Sequence, residues 1–250
     1  MTRHPSDDDA LAGTRARIGF LTPAPGTSSI RELRRLMPPG VLPIFATMHL
    51  EQISATGLSG VIQQLEGATK QVALANPDVV VQIAASASLA DTPNADEEIV
   101  SRMRAVHDVP AFTAMQGAVS AFRALGLRRL IVLVPYTNDM CERIRQYLIR
   151  HDLDPVTVQG MGISAQKDVH QQGPGAAYRQ AKEVSRSADS ADGIFFCTGG
   201  RASLEILDWV EKDTGLPVVS TNTATAWWAL RLAQVREPMS GFGRLLAEFP

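Results

Sequence analysis

A thiol, a hydroxyl and two glycines stand together in Cys197-Thr198-Gly199-Gly200, at the end of the apolar run Asp192-Gly193-Ile194-Phe195-Phe196. A short run of branched and aromatic residues closed by glycines, and followed by the helix-like Ala202-Ser203-Leu204-Glu205-Ile206-Leu207, reads as a buried strand feeding a helix. Cys197 and Thr198 then sit at the carboxyl end of that strand, where open α/β sheets bind ligands. Gly199 and Gly200 let backbone N–H groups approach an anion at a helix start, so the natural guest is a small carboxylate.

The elements that must position these groups alternate along the chain. After a polar tail, 1–15, Arg17-Ile18-Gly19-Phe20-Leu21-Thr22 reads as a first strand, broken by Pro23, Pro25 and Gly26. Ser28 or Ser29 caps a helix carrying Ile30, Leu33, Leu36 and Met37. Next come a strand near 42–46, a long amphipathic helix from about Leu58 to Leu74, and the run Val79-Val80-Val81-Gln82-Ile83-Ala84, whose unbroken valines suit a strand buried on both faces. Helix 96–106, strand 110–113 and helix 118–125 follow, and Gly126 ends the last of these. The pattern then restarts at Leu130-Ile131-Val132-Leu133-Val134. Helix 138–150, strand 155–158, a helix near 176–187, the Ile194 strand, a helix to Lys212, strand 217–219 and helix 223–232 complete it.

Each half holds about four strands with helices between them, the signature of parallel sheets covered on both sides. The expectation is an α/β protein of two pseudo-symmetric lobes, each a mostly parallel four-stranded sheet flanked by helices. The lobes would span 16–115 and 116–235, with an active-site cleft between them and a C-terminal segment, 236–250, packing back on the body. The first-lobe equivalent of the Cys197 strand end is Ala84-Ala85-Ser86-Ala87-Ser88, so two strand ends of small residues would face one ligand.

Composition narrows the function classes. With 45% hydrophobic and 20% charged residues the chain is ordinary for a globular protein. A net charge of -2 with no basic stripe argues against nucleic acid as a partner. No run of about 18 apolar residues exists to span a membrane. The amino terminus has no apolar signal-peptide core and the two cysteines lie far apart, which points to the cytoplasm. The five histidines are scattered without zinc-site spacing, so no metal is expected. Gly173-Pro174-Gly175 lacks the preceding strand and later lysine of a phosphate loop, and no nucleotide is inferred. Cys141 reads as structural, and Trp227-Trp228 as packing.

From Arg17 to its end the chain resembles the arylmalonate decarboxylase and maleate cis-trans isomerase branch of the aspartate/glutamate racemase superfamily. The resemblance rests on the order and spacing of several short motifs. They are Thr22-Pro23, the segment 78–88, Leu125-Gly126-Leu127-Arg128-Arg129, Tyr136 ahead of Asp139 and Glu142-Arg143, and Met161-Gly162-Ile163. The segment 192–200, Gly215-Leu216-Pro217-Val218-Val219-Ser220 and Gly241-Phe242-Gly243-Arg244-Leu245 complete the series.

The resemblance implies a cofactor-free site between the lobes that acts on a small carboxylate or dicarboxylate, with the oligomeric state left open. Racemases and isomerases of the superfamily use one cysteine on each lobe. The decarboxylases keep only that of the second lobe, which protonates an enediolate left by loss of CO2 while N–H and O–H donors hold its charge. A thiol suits that transfer because its pKa of about 8.5 falls near a helix amino terminus.

Counted from Asp78, the first-lobe cysteine falls on Ala84, which favours the one-thiol arrangement. Counted from Asp192, the second-lobe cysteine falls on Thr198, with Cys197 one residue early. A one-residue offset in a strand turns a side chain to the other face. Either a local turn brings Cys197 into the cleft, or Thr198 occupies the thiol's place and the chemistry has changed. Tyr136, Ser86, Ser88, Gly199 and Gly200 are the implied carboxylate donors, and Thr22 and Pro23 shape the cleft floor. The reading is a cofactor-independent decarboxylase of substituted malonates. The alternatives are a maleate isomerase or amino-dicarboxylate racemase, and a carboxylate-binding protein or family member of altered chemistry.

Overall fold

A computed structural model describes residues 13–89, 94–186, 190–198 and 200–249. In the first lobe the strands are β1 (Ala16–Pro23), β2 (Val41–Met48), β3 (Val79–Gln82) and β4 (Ala111–Thr113). In the second they are β5 (Arg129–Leu133), β6 (Asp154–Gln159), β7 (Gly193–Phe196) and β8 (Val218–Ser220). Every pairing is parallel, and the orders β2-β1-β3-β4 and β6-β5-β7-β8 are the same arrangement twice. The valine run of β3 and the Ile194-Phe195-Phe196 run of β7 occupy equivalent positions and are buried on both faces, as the sandwiching helices require.

The helices are α1 (Thr27–Arg35), α2 (Ala55–Gln63), α3 (Leu65–Ala73), α4 (Ala95–Val106) and α5 (Ala114–Ala124), then α6 (Asn138–Arg150), α7 (Gln166–His170), α8 (Pro174–Ser185), α9 (Leu207–Thr214), α10 (Thr221–Leu232) and α11 (Arg244–Glu248). The last strand of each lobe runs straight into a helix through a capping box. Thr113 accepts from the Gln116 N–H at the start of α5, and Ser220 accepts from the Thr223 N–H at the start of α10, satisfying donors that a helix start leaves orphaned. Helices α5 and α10 pack on each other. Gly117 permits the approach, since a Cβ there would lie 3.0 Å from the Phe112 ring and 3.5 Å from the Ala224 carbonyl. Phe122 of α5 meets Phe195 of β7 edge to face at 5.0 Å, so α5 serves the second lobe's core as well as the first.

Three details depart from the sequence reading. The long helix expected over 58–74 is two helices, because Gln64 turns its side chain onto the loop after β2: its Oε1 accepts from the His49 N–H at 2.7 Å and its Nε2 donates to the Gly60 carbonyl at 2.9 Å. Helix α1 is entered through Gly26 in the left-handed conformation, φ 65°, and not through a serine cap. Arg15, placed in the polar tail, is fixed by its backbone N–H to the Gly40 carbonyl at 3.0 Å and by an ion pair with Glu237 at 3.1 Å.

The loops leaving the carboxyl ends of the two sheets bond to each other. After β2 and β6, the Ile53 N–H donates to the Ser164 carbonyl and the Gln166 N–H to the Glu51 carbonyl, both at 2.9 Å, on either side of an antiparallel bridge between Gln52 and Ala165. After β1, Glu32 of α1 reaches the segment beyond β7. On the other flank Asp96 of α4 accepts from Thr113 Oγ1 at 2.7 Å and from the Tyr147 hydroxyl of α6. The two halves are thus bonded to each other through the loops and helices beyond their strand ends. Among the described residues no helix is long and apolar enough to cross a membrane.

Candidate functional site

The backbone leaves β7 abruptly. The Cys197 N–H still completes the ladder to the Leu133 carbonyl at 3.0 Å, and the next N–H, of Thr198, folds back on the Phe196 carbonyl at 3.0 Å. That tight i to i+2 turn fixes which way the two side chains point. Cys197 goes inward, fully buried, with its sulfur 3.9 Å from Met115 Sδ of α5. Thr198 is buried too and has other neighbours: its Oγ1 accepts from the Tyr136 hydroxyl at 3.2 Å and from the Gly200 N–H at 3.2 Å. A hydroxyl oxygen that accepts twice has its own proton left to donate.

Tyr136 follows β5 and is held by its backbone as well. Its carbonyl accepts from the Gly162 N–H at 3.0 Å, and the Pro135 carbonyl from the Ile163 N–H at 2.9 Å. Burial pushes its phenol above the ordinary value, offset in part by the bond to Thr198. Tyr136 is thus a neutral donor at any moderate pH. Burial also pushes the Cys197 thiol up, with the Cys141 thiol adding in the same direction. Both effects disfavour the thiolate, the opposite of what a reactive cysteine needs. In the folded protein Cys197 is therefore expected to resist alkylation by iodoacetamide and to label only on denaturation, as mass spectrometry of the alkylated peptides would read. Rapid native labelling of Cys197 that a dicarboxylate blocks would overturn this assignment.

The remaining expected residues divide by lobe. Gly200 is brought to Thr198, with its N–H donating to Oγ1 at 3.2 Å. Gly199 lies outside the described residues. A Cβ at Gly200 would lie 3.1 Å from Val169 and 3.2 Å from the His170 ring, so glycine lets α7 close on this turn. In the first lobe Ala84 is buried, and Ser86 and Ser88 follow it in a 3₁₀ turn over Ala85–Leu89. Ser88 Oγ has no hydrogen-bond partner among the described residues. Thr22 and Pro23 end β1, buried, with the Thr22 hydroxyl turned to the Pro23 carbonyl at 3.4 Å. No hydrogen bond among the described residues joins these first-lobe groups to Thr198.

Sequence reasoning missed three groups around the Thr198 turn. Glu32 is completely buried; its Oε1 accepts from the N–H groups of Ser203 at 2.7 Å and Leu204 at 3.0 Å, and its Oε2 from Asn222 Nδ2 at 2.8 Å. Burial raises its pKa more than these bonds lower it. The signal was available, since Glu32 falls on the face of α1 that also carries Ser29, Leu33 and Leu36, all buried. His170 is half-buried against Gly200, with Nδ1 at 3.4 Å from Thr27 Oγ1 of the first lobe. Arg201 has a completely buried guanidinium; a charged residue directly after two strand-end glycines was the clue to it.

The arrangement offers a protonated hydroxyl pair at the carboxyl end of the second sheet. Hydroxyls of this kind are chemically able to donate to a carboxylate, and the neighbouring Cys197 thiol is packed on Met115. Comparison with known proteins gives a consistent family. The arylmalonate decarboxylase family model matches residues 19–246. The chain is 26% identical over 233 residues to arylmalonate decarboxylase of Bordetella bronchiseptica, covering 92% of this chain and 96% of that one. It is also 26% identical over 246 residues to maleate isomerase of Nocardia farcinica (strain IFM 10152), covering 93% and 96%. Among solved structures, a double mutant of arylmalonate decarboxylase in its liganded form superposes with a TM-score of 0.86 at 25% identity, covering 93% of this chain and 99% of that one.

Proposed function

Because this chain belongs to the arylmalonate decarboxylase family, we propose that it removes CO2 from substituted malonate-type dicarboxylates without a cofactor, using a hydroxyl where its relatives are expected to use a thiol. The observation that carries the reading is the pair Tyr136–Thr198, with Cys197 turned into the core. Identity does not separate the two activities of the relatives, since both match equally. Chemistry does. Isomerisation or racemisation by the superfamily's thiols needs sulfur facing the substrate, and the two positions hold Ala84 and Thr198. Decarboxylation needs less: donors for the charge that develops on the retained carboxylate, and an acid to protonate carbon afterwards.

In this mechanism the C–C bond electrons pass to the retained carboxylate as CO2 departs, leaving an enediolate. Thr198 Oγ1, polarised by the Tyr136 hydroxyl and the Gly200 N–H, gives its proton to the α carbon. Tyr136 passes its own proton to Thr198 and regains one from water after product leaves. Ser86 and Ser88 supply hydroxyl donors from the opposite lobe, and Thr22 with Pro23 closes the floor. A hydroxyl is a weaker acid than a thiol, so the step is slower than thiol chemistry, but an enediolate is basic enough to take the proton.

Proton NMR in D2O with aryl- and alkylmalonates, maleate and aspartate tests the proposal. The expected result is conversion of a substituted malonate to the monoacid with one deuterium at the α carbon. Isomerisation of maleate, or α-exchange of aspartate, with malonates untouched would replace this reading by the isomerase or racemase one. Saturable carboxylate binding with no reaction across the panel would leave a binding protein.

A further inference from the structure

Arg201 is the largest fully buried side chain among the described residues, and no carboxylate faces it. Its Nη1 donates to Gln180 Oε1 of α8 at 2.6 Å, and the Gln180 amide donates in turn to the Gln159 carbonyl at the end of β6 at 3.2 Å. The guanidinium also stands over the Phe196 ring, 6.0 Å from its centroid. Its Nε and Nη2 have no partner among the described residues. Ser203 Oγ and Gln159 Oε1 nearby in the chain and in the bonded network are likewise buried and unpartnered.

A buried cation without its counter-charge is costly, and removal from water of two N–H donors with nothing to accept them adds to that cost. Burial pulls the guanidinium down from its ordinary value to about 10, which leaves it charged at neutral pH. The two open donors are also chemically specific. Nε and Nη2 form one edge of the guanidinium, and that edge takes a carboxylate side-on through two parallel hydrogen bonds. The same chain uses it so elsewhere: Arg102 Nε and Nη2 hold the two oxygens of Glu66 at 2.6 and 2.8 Å. Arg201 presents that edge with its acceptor missing, three residues beyond Thr198.

We propose that the open edge of Arg201 is a carboxylate subsite, which takes one carboxylate of a small dicarboxylate ligand side-on while the rest of the molecule extends toward Thr198. The proposal deepens the decarboxylase reading and rests on it for the identity of the ligand. In the described conformation the edge is sealed, so the ligand enters by a local opening of the turn at 200–204. Glu32 holds that turn through the Ser203 and Leu204 N–H groups, and on binding, the carboxylate supplies the acceptor that Arg201 lacks. A cation at the subsite favours dianionic ligands over their monoesters.

Calorimetric titration of the full chain with malonate and with its monomethyl ester, in wild type, Arg201→Lys and Arg201→Met, tests the subsite. Wild type is expected to bind malonate more tightly than the ester. Arg201→Met should weaken malonate tenfold to a hundredfold, the loss of about 1.5–3 kcal/mol that a charged hydrogen-bonded pair supplies, and should make the two ligands equivalent. Arg201→Lys should fall between. Without ligand, Arg201→Met should melt at or above the wild-type temperature, since an apolar side chain replaces an unpaired buried charge. A lowered melting temperature with unchanged malonate affinity would assign Arg201 a structural role and overturn the proposal, as would failure of wild type to bind malonate. Arginine-dependent binding with no CO2 release would keep the subsite and sink the decarboxylase. Turnover with unchanged KM in Arg201→Met would do the reverse.

Discussion

Thr198→Val is expected to lower kcat/KM on a malonate substrate by about a hundredfold or more, the range that loss of a general acid or of an oxyanion donor produces. Valine keeps the shape and removes the one oxygen that Tyr136 and Gly200 both address. The variant therefore loses the proton that reaches carbon and leaves two buried donors unmatched. Thr198→Ser keeps the oxygen and should retain most of the rate. Thr198→Cys is the sharper companion: a thiol, with a free pKa of about 8.5, is a better acid than any alcohol, and at this position it would stand beside the Tyr136 phenol. Turnover should rise at least about tenfold over wild type and become sensitive to alkylating reagents, to which wild type is expected to be indifferent. Steady-state rates of CO2 release for the three variants decide the matter. A valine variant that turns over at the wild-type rate removes Thr198 from the mechanism.

Glu32→Ala is expected to destabilise the protein by about 3–5 kcal/mol, because it strands three buried donors that now share one carboxylate. The stranded groups are the Ser203 and Leu204 N–H and the Asn222 side-chain amide. For a chain of this length that corresponds to a fall in Tm of roughly 6–20 °C. Glu32→Gln keeps an amide oxygen for the backbone N–H groups and should cost much less.

The glutamine variant also isolates a pH effect. The Glu32 carboxyl titrates above its ordinary value of 4.5 in the folded state because burial disfavours its charge. A carboxyl so shifted lends the fold stability that is complete below the unfolded pKa and lost as pH rises through the folded one. The difference in Tm between wild type and Glu32→Gln should therefore move against wild type as pH rises from about 4.5. A difference that is flat in pH would mean that Glu32 is not the buried, upshifted group described here.

Most of the fold was legible because its determinants are local. The unbroken runs at 79–81 and 194–196 announce strands covered on both faces, and Gly126 and Gly215 end helices in the left-handed conformation that favours glycine. The break at Gln64 was not legible, since it depends on bonds to His49 in another loop. The site divides along the same line. Period-two reasoning named Cys197 and Thr198 as alternatives and could go no further, because the direction of each is set by a single turn bond from Thr198 to Phe196. Glu32 and Arg201 escaped because their meaning lies in partners far along the chain: 171 residues separate Glu32 from Ser203, and the significance of Arg201 is an acceptor that the described residues do not supply.

The repeated strand order, with a capping box leading into a packed helix in each lobe, bears on how such a protein changes its chemistry over evolutionary time. The strand order and the capped helix that follows the last strand are built the same way in each half. The residues just past β3 and β7 differ between the halves: a 3₁₀ turn carrying Ser86 and Ser88 follows one, and the turn bearing Thr198 follows the other. Inheritance can therefore rewrite the reactive groups within these segments while the scaffold stays untouched.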